Sequence, residues 1–167
     1  MLRLILMRHA KAETPGGSPD YDRSLTARGQ GAATLIGREL RRVGFEPQLV
    51  LCSTAVRTQQ TLDRVVAELG QSPKTNLIPE LYNAATSTLI EQIELNGEDA
   101  ATLLVIGHNP ATEDAVRLLA SEQGDVSLPS GFPTAALAVV DFEAITWPDI
   151  RPGRGRLNRF ITPRDLE

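Results

Sequence analysis

Apolar residues fall into two patterns along the chain, short unbroken runs and wider helical stripes. Residues 2–7 form the first run, apolar almost throughout, as in a strand buried on both faces. A polar loop bearing Pro and Gly follows over about residues 13–23. Thr26 then stands as a helix N-cap before Ala32, Leu35, Ile36, Leu40 and Val43, which recur at helical spacing until Gly44 stops the pattern. Residues 48–52 make a second buried run, and Ser53 or Thr54 is placed to cap the helix after it. That helix carries Leu62, Val65, Val66 and Leu69 on one face, with Gly70 at its C-terminal position.

Residues 75–78 predict a third strand, and Thr88 with Glu91 has capping-box spacing for a shorter helix. Residues 103–106 are the clearest buried strand. Asn109 as N-cap and Pro110 at the first helical position open the next helix, with Val116, Leu118 and Leu119 as its stripe. Residues 135–140 and 156–161 read as late strands, and residues 147–155 as a surface loop between them. Strands alternating with helices predict an α/β fold with a largely parallel sheet. No internal repeat or linker divides residues 1–167, so a single domain is expected.

Composition narrows the class. The chain is 41% hydrophobic and 23% charged, the balance of a soluble globular protein, and only 4% aromatic, so its core is mostly aliphatic. A net charge of −4 gives no bulk reason to expect nucleic acid or an anionic membrane. No apolar run approaches the roughly 18 residues of a spanning helix, and the apolar start is too short for a signal peptide. Cys52 is the single cysteine, which excludes an internal disulfide. A cytoplasmic, monomeric protein is expected.

The chain has two histidines, and each follows a predicted buried strand at its carboxyl end. Ligands of open α/β sheets sit at that edge. Arg8 precedes His9, and Arg57 lies early in the helix after the second strand. An arginine there opposes the helix macrodipole, which suggests that an anion is expected. Two guanidinium groups can stabilise a phosphoryl group in flight without a metal, and a neutral imidazole can attack phosphorus in line. The attacking ring needs its other nitrogen held by an acceptor, for which a backbone carbonyl is expected.

Four segments carry a resemblance. Leu4-Ile5-Leu6-Met7-Arg8-His9-Ala10 matches the arginine-histidine signature of the histidine phosphatase superfamily, the phosphoglycerate mutase-like proteins. Leu25-Thr26-Ala27-Arg28-Gly29 is similar to its Leu-Thr-x-x-Gly segment, and the stretch from Ser53 through Arg57 to Thr61 to its Ser-x-x-x-Arg-x-x-x-Thr helix. Val105-Ile106-Gly107-His108-Asn109-Pro110 resembles its second-histidine segment. The resemblance implies a three-layer sandwich whose mostly parallel central sheet is flanked by helices. It makes His9 the phosphorylated nucleophile, sets Arg8, Arg57 and His108 around the phosphate, and has Ser53 and Asn109 line the pocket. Glu80, in Pro79-Glu80-Leu81-Tyr82, is the best positional match to the family's proton donor. Lys11 and Asp22 read as solvated loop residues near the rim.

Only residues 71–102 separate the Arg57 helix from the strand before His108, which leaves little room for a cap insertion. Compact size, the Arg-His-Ala-Lys-Ala opening and the closing 156–164 segment resemble SixA-type phosphohistidine phosphatases. The implied substrate is a phosphohistidine-bearing protein, with no cofactor and no metal. Two alternatives stay open: a small-molecule phosphomonoesterase of the same superfamily, and a catalytically idle phosphoprotein-binding module. Cys52 and Arg57 are one residue too close for a cysteine-phosphatase loop, no local metal-ligand motif exists, and no Gly-x-Ser-x-Gly elbow is present.

Overall fold

In the computed structural model, which describes residues 1–121, 126–128 and 130–167, six strands form one mixed sheet. They are β1 (Leu2–Arg8), β2 (Leu49–Cys52), β3 (Lys74–Leu77), β4 (Thr102–Gly107), β5 (Leu137–Phe142) and β6 (Arg156–Ile161). Their order is β3-β2-β4-β1-β5-β6, with β3, β2, β4 and β1 parallel and β5 antiparallel to both its neighbours. The helices are α1 (Ala27–Val43), α2 (Val56–Ala67), α3 (Thr86–Asn96) and α4 (Ala111–Leu119).

The unbroken apolar runs arise because the central strands feed two cores. Leu4 and Leu6 of β1, Leu49 and Leu51 of β2, and Leu103 and Val105 of β4 point to one face. There Leu89 and Ile93 of α3 and Ala115, Val116 and Leu119 of α4 cover them. Ile5 and Met7, Val50 and Cys52, and Leu104 and Ile106 point to the other face, under Ile36 and Leu40 of α1 and Leu62 and Val65 of α2. Side chains alternate across a strand, so a strand covered on both faces has no polar position to show. The result is the expected three-layer sandwich. No helix among the described residues is long and apolar enough to cross a membrane.

The ends of α1 match the sequence reading. The Thr26 side chain accepts from the Gly29 amide at 3.0 Å, and Gly44 ends the helix in the left-handed region at φ 76°. Gly29 is also a steric requirement, since a Cβ there would strike the Lys11 carbonyl oxygen. This close approach sets the start of α1 against the chain leaving β1.

Other boundaries differ from expectation. Neither Ser53 nor Thr54 caps α2; Ala55 takes the N-cap position without a side-chain bond, and the helix ends at Ala67, before Gly70. Thr88 lies inside α3, which begins at Thr86 after a left-handed turn at Asn83 (φ 55°). The N-cap of α4 is Pro110, joined to Asn109 by a cis peptide bond, and not Asn109. Leu118 is 46% exposed, because the buried face of α4 runs through Ala111, Thr112, Ala115, Val116 and Leu119. β5 begins at Leu137, two residues late, because Ala135 has φ 63°. Residues 147–155 are not wholly a surface loop: Trp147 is fully buried and its indole N–H donates to the Ala100 carbonyl at 2.9 Å. A buried ring with a satisfied donor can sit in an irregular segment as readily as in a helix.

Candidate active site

The parallel register pairs Arg8 of β1 with Gly107 of β4, so His9 and His108 leave the same sheet edge side by side. The His9 amide donates to the Gly107 carbonyl at 3.0 Å, and its carbonyl accepts from Ala135 at 2.9 Å. Both bonds extend the sheet ladders one residue past β1 and hold the His9 backbone rigidly. Its ring is buried, and Nδ1 lies 2.7 Å from the Ala10 carbonyl oxygen. A carbonyl can only accept, so Nδ1 carries the proton and Nε2 keeps its lone pair. The Arg57 Nε–H donates to that Nε2 at 3.3 Å, and a guanidinium can only donate, so the second contact requires the same tautomer.

Arg57 is 5% exposed and holds the cluster together from the first turn of α2. Its NH2 lies 3.4 Å from His108 Nδ1, the acceptor nitrogen of that ring. His108 Nε2 then carries the other ring's proton, 2.8 Å from the Ser53 hydroxyl. The two imidazole centroids stand 5.3 Å apart. Thr61, one turn beyond Arg57, takes the Ala10 amide on its hydroxyl at 3.0 Å and donates to the Arg57 carbonyl at 2.7 Å. The spacing of Ser53, Arg57 and Thr61 therefore has a physical basis. Ser53 holds one ring, Arg57 touches both, and Thr61 anchors the amide of Ala10, the residue whose carbonyl locks His9.

Burial first, against the Ala10 hydrogen bond and helped by His108, Arg57 and Arg8, lowers the His9 imidazole from the usual 6.5 to about 3. His108 falls to about 4, again chiefly through desolvation, with Arg57 adding to it. Both rings are neutral at pH 7. The Arg8 guanidinium donates NH1 to the Phe132 carbonyl at 3.0 Å, and its buried Nε–H has no partner among the described residues. Asn109 shares that carbonyl, donating to it at 3.1 Å, and binds Glu113 with its amide oxygen.

Comparison with known proteins agrees with this geometry. A model of the histidine phosphatase superfamily (branch 1) matches residues 4–83. An uncharacterised protein of Mycobacterium tuberculosis (strain ATCC 25618 / H37Rv) is 40% identical over 163 residues, 95% of this chain and 100% of the relative. Phosphohistidine phosphatase SixA of Escherichia coli (strain K12) is 29% identical over 99% of this chain and 97% of its own length. The solved structure of a protein histidine phosphatase SixA complexed with tungstate overlays with a TM-score of 0.81 at 27% identity. That overlay covers 99% of this chain and 100% of the other.

The chain belongs to the histidine phosphatase superfamily.

Within that superfamily it is SixA-like, and the superfamily match together with the SixA relatives supports phosphatase activity. The SixA-like fold brings Arg8, His9, Ser53, Arg57 and His108 to one place, as the sequence suggested. It treats two other expected residues differently. Asn109 is engaged with Phe132 and Glu113 beside Arg8, so it braces the pocket wall. Glu80 is exposed on a single 3-10 turn, Pro79–Leu81, and its side chain makes no hydrogen bond or ion pair with a described residue. Lys11 and Asp22 are exposed loop residues, as expected. Cys52 is buried against the Ser53 carbonyl, and desolvation pushes its thiol up to about 12, so it is an un-ionised, apolar residue at neutral pH.

Two residues of the SixA-like site were not found by motif. Asp20, on a 3-10 turn in the polar loop, meets Arg57 twice: its carbonyl accepts NH1 at 2.7 Å and its carboxylate accepts NH2 at 3.2 Å. The Tyr82 hydroxyl donates to the same carboxylate at 2.6 Å, and Arg23 binds its other oxygen. The Tyr82 bond, then Arg23 and Arg57, hold the Asp20 carboxyl well below the usual carboxylate range. Tyr82 also packs edge-on against His108 and against Tyr21. The one sequence signal for this wall was the presence of two tyrosines in an aromatic-poor chain. Among the described residues, no three His, Cys, Asp or Glu side chains cluster as a metal centre requires.

Proposed function

We propose that residues 1–167 act as a single phosphohistidine phosphatase domain that dephosphorylates a protein through a phosphorylated His9. The observation that carries this reading is the locked tautomer of His9, with Nδ1–H on the Ala10 carbonyl and the Nε2 lone pair beside Arg57. In the first step Nε2 attacks phosphorus and the P–N bond to the substrate imidazole breaks; that ring, already protonated on its far nitrogen, leaves as neutral imidazole, and His9, keeping its Nδ1–H, carries the phosphoryl group as a cation. In the second step water attacks phosphorus, the P–Nε2 bond breaks, and inorganic phosphate leaves. Arg57 and Arg8 neutralise the equatorial oxygens without a metal. The unpaired Nε–H of Arg8 is a donor in waiting for one of them. His108 sits 5.3 Å from His9 and steadies the same charge.

Before substrate arrives, the Asp20 carboxylate occupies the NH2 side of Arg57, so substrate phosphate takes over a contact already shaped for an anion. The exposed position of Glu80 supports a phosphoramidate substrate over an ester. A protonated imidazole is a better leaving group than an alkoxide and needs less help from an acid.

Rapid quench with a labelled phosphohistidine peptide tests the mechanism. An acid-labile, base-stable adduct is expected in the wild type and absent in His9→Ala. Equal adduct in both would remove His9 as the nucleophile. Full activity in excess chelator is expected, and activity abolished by chelator and restored by zinc or magnesium would refute the metal-free mechanism.

A further inference from the structure

Beside the histidine cluster lies a groove of about 850 Å³ that the mechanism does not use. Its lining includes the cations Lys11, Arg28 and Arg164 and the apolar side chains of Ala32, Leu35 and Pro133. The groove is tied to the nucleophile from both sides. Lys11 is two residues beyond His9, within about 7 Å of chain. On the other side Thr134 precedes Ala135, whose amide binds the His9 carbonyl at 2.9 Å.

Charge sets this groove apart. Lys11, Arg28 and Arg164 are exposed, and none makes a side-chain hydrogen bond or ion pair with a described residue. Arg41, Arg154 and Arg156 are likewise exposed with no side-chain partner among the described residues, but the groove lining brings three such cations together. Glu167 is the one carboxylate in the groove lining, so the groove is locally cationic on a chain of net charge −4. Three unpaired cations from three separate segments share the lining with apolar side chains. That arrangement suits charges spread along a chain more than one compact anion.

We propose that this groove docks an acidic segment of the phosphorylated protein, rich in Glu or Asp with apolar residues between, adjacent to its phosphohistidine. The proposal rests on the protein-substrate reading above. Docking there brings the phosphorylated ring to His9 while the segment's carboxylates meet the three cations. It also supplies selectivity among phosphoproteins that the phosphate pocket, which touches only the phosphoryl group, does not provide.

The test uses two phosphohistidine peptides that differ only in flanking residues, one with Glu and Leu, the other with Gln and Leu. At low ionic strength wild type should favour the acidic peptide in kcat/KM by about tenfold or more, and added salt should shrink the ratio. The triple variant Lys11→Gln, Arg28→Gln, Arg164→Gln should bring the ratio to about one. Its turnover of free phosphoramidate should stay within about twofold of wild type, since none of the three side chains touches the histidine cluster. An equal ratio in wild type and variant would overturn the groove.

Anisotropy of a labelled, unphosphorylated acidic peptide separates the two hypotheses. Binding to wild type that the triple variant loses supports the groove even if neither phosphopeptide is turned over, a result that would sink the phosphohistidine reading alone. Peptide displaced by citrate at matched ionic strength would mean a small-anion site and overturn the proposal. Self-association of wild type lost in the variant would make the face a contact between copies, and would overturn it too.

Discussion

The ends of β1 and β4 look alike and are held differently. Each delivers a histidine one residue past a central parallel strand, level with the other across the ladder. Each ring has one nitrogen on Arg57. The difference lies in the other nitrogen. His9 gives its proton to a backbone carbonyl, which can only accept, so the ring has one tautomer and a permanent lone pair at Nε2. His108 keeps its Nε2–H on the Ser53 hydroxyl and takes the Arg57 N–H on Nδ1, so its tautomer is fixed too, in the opposite sense. The lone pair thus falls on Nε2 of His9, as a nucleophile attacking through Nε2 requires, and on Nδ1 of His108, where the guanidinium takes it. Two similar strand ends thus acquire two roles from a single change of anchor.

The widest separation between the two rings should appear on deletion. His9→Ala is expected to lower kcat by on the order of 10⁴ or more and to abolish the adduct. His108→Ala is expected to lower it by about 10² while a quenched adduct remains measurable. Loss of adduct in both variants would erase the distinction drawn here. Arg57 touches both rings, so Arg57→Ala should cost on the order of 10² or more in kcat/KM. Near wild-type kinetics would reduce Arg57 to a buried helix residue. Ser53→Ala strands the His108 N–H and the more distant Ala55 amide, and a roughly tenfold loss in kcat, about 1.4 kcal/mol, is expected with His9 phosphorylation intact. A drop in adduct yield equal to the drop in kcat would show that Ser53 serves His9 as well.

The division between these strand ends was partly legible in the chain. The two-sided strands announced themselves as unbroken apolar runs, and the cationic residues at their ends identified the edge where an anion binds. An acceptor for the second His9 nitrogen followed from the need for a neutral nucleophile, with a backbone carbonyl as the expected kind, but nothing in the sequence pointed to Ala10. The Ser53 anchor did not follow, because the same serine also reads as a helix cap, and local spacing cannot choose between the two uses. Asp20 and Tyr82 were invisible for a different reason. They meet across 62 positions on two short 3-10 turns, where no period marks which side chain faces inward. Trp147 shows the same limit, since Pro and Gly around it describe the backbone and not the burial of its ring.

Acidity offers a finer measure of the two anchors. Unfolded, both rings titrate near the usual 6.5; folded, His9 falls to about 3 and His108 to about 4. Between those values and 6.5 the unfolded chain binds more protons than the folded one. Stability is therefore fully present above about pH 6.5 and declines as pH falls through that window. The thermal midpoint should drop from pH 6.5 to pH 4, while kcat/KM of the free enzyme holds within about twofold between pH 7 and pH 5. An acid limb centred near 6.5 would mean that the rings are not held neutral by their burial.

The smallest expected effect belongs to Glu80. It stands on the turn that carries Tyr82 toward Asp20, yet its side chain is exposed and bonds no described residue, while Tyr82 reaches the cluster. An acid must lie within hydrogen-bond reach of the leaving atom, directly or through one water, to matter. Glu80→Gln should therefore change kcat on a phosphohistidine peptide by less than about twofold. Phosphate monoesters should remain poor substrates of both proteins, because no well-placed acid serves their alkoxide. A large loss confined to esters would mean that Glu80 swings in when substrate binds. It would also return the chain to ester chemistry, with the His9 and His108 anchors unchanged and only the leaving group reassigned.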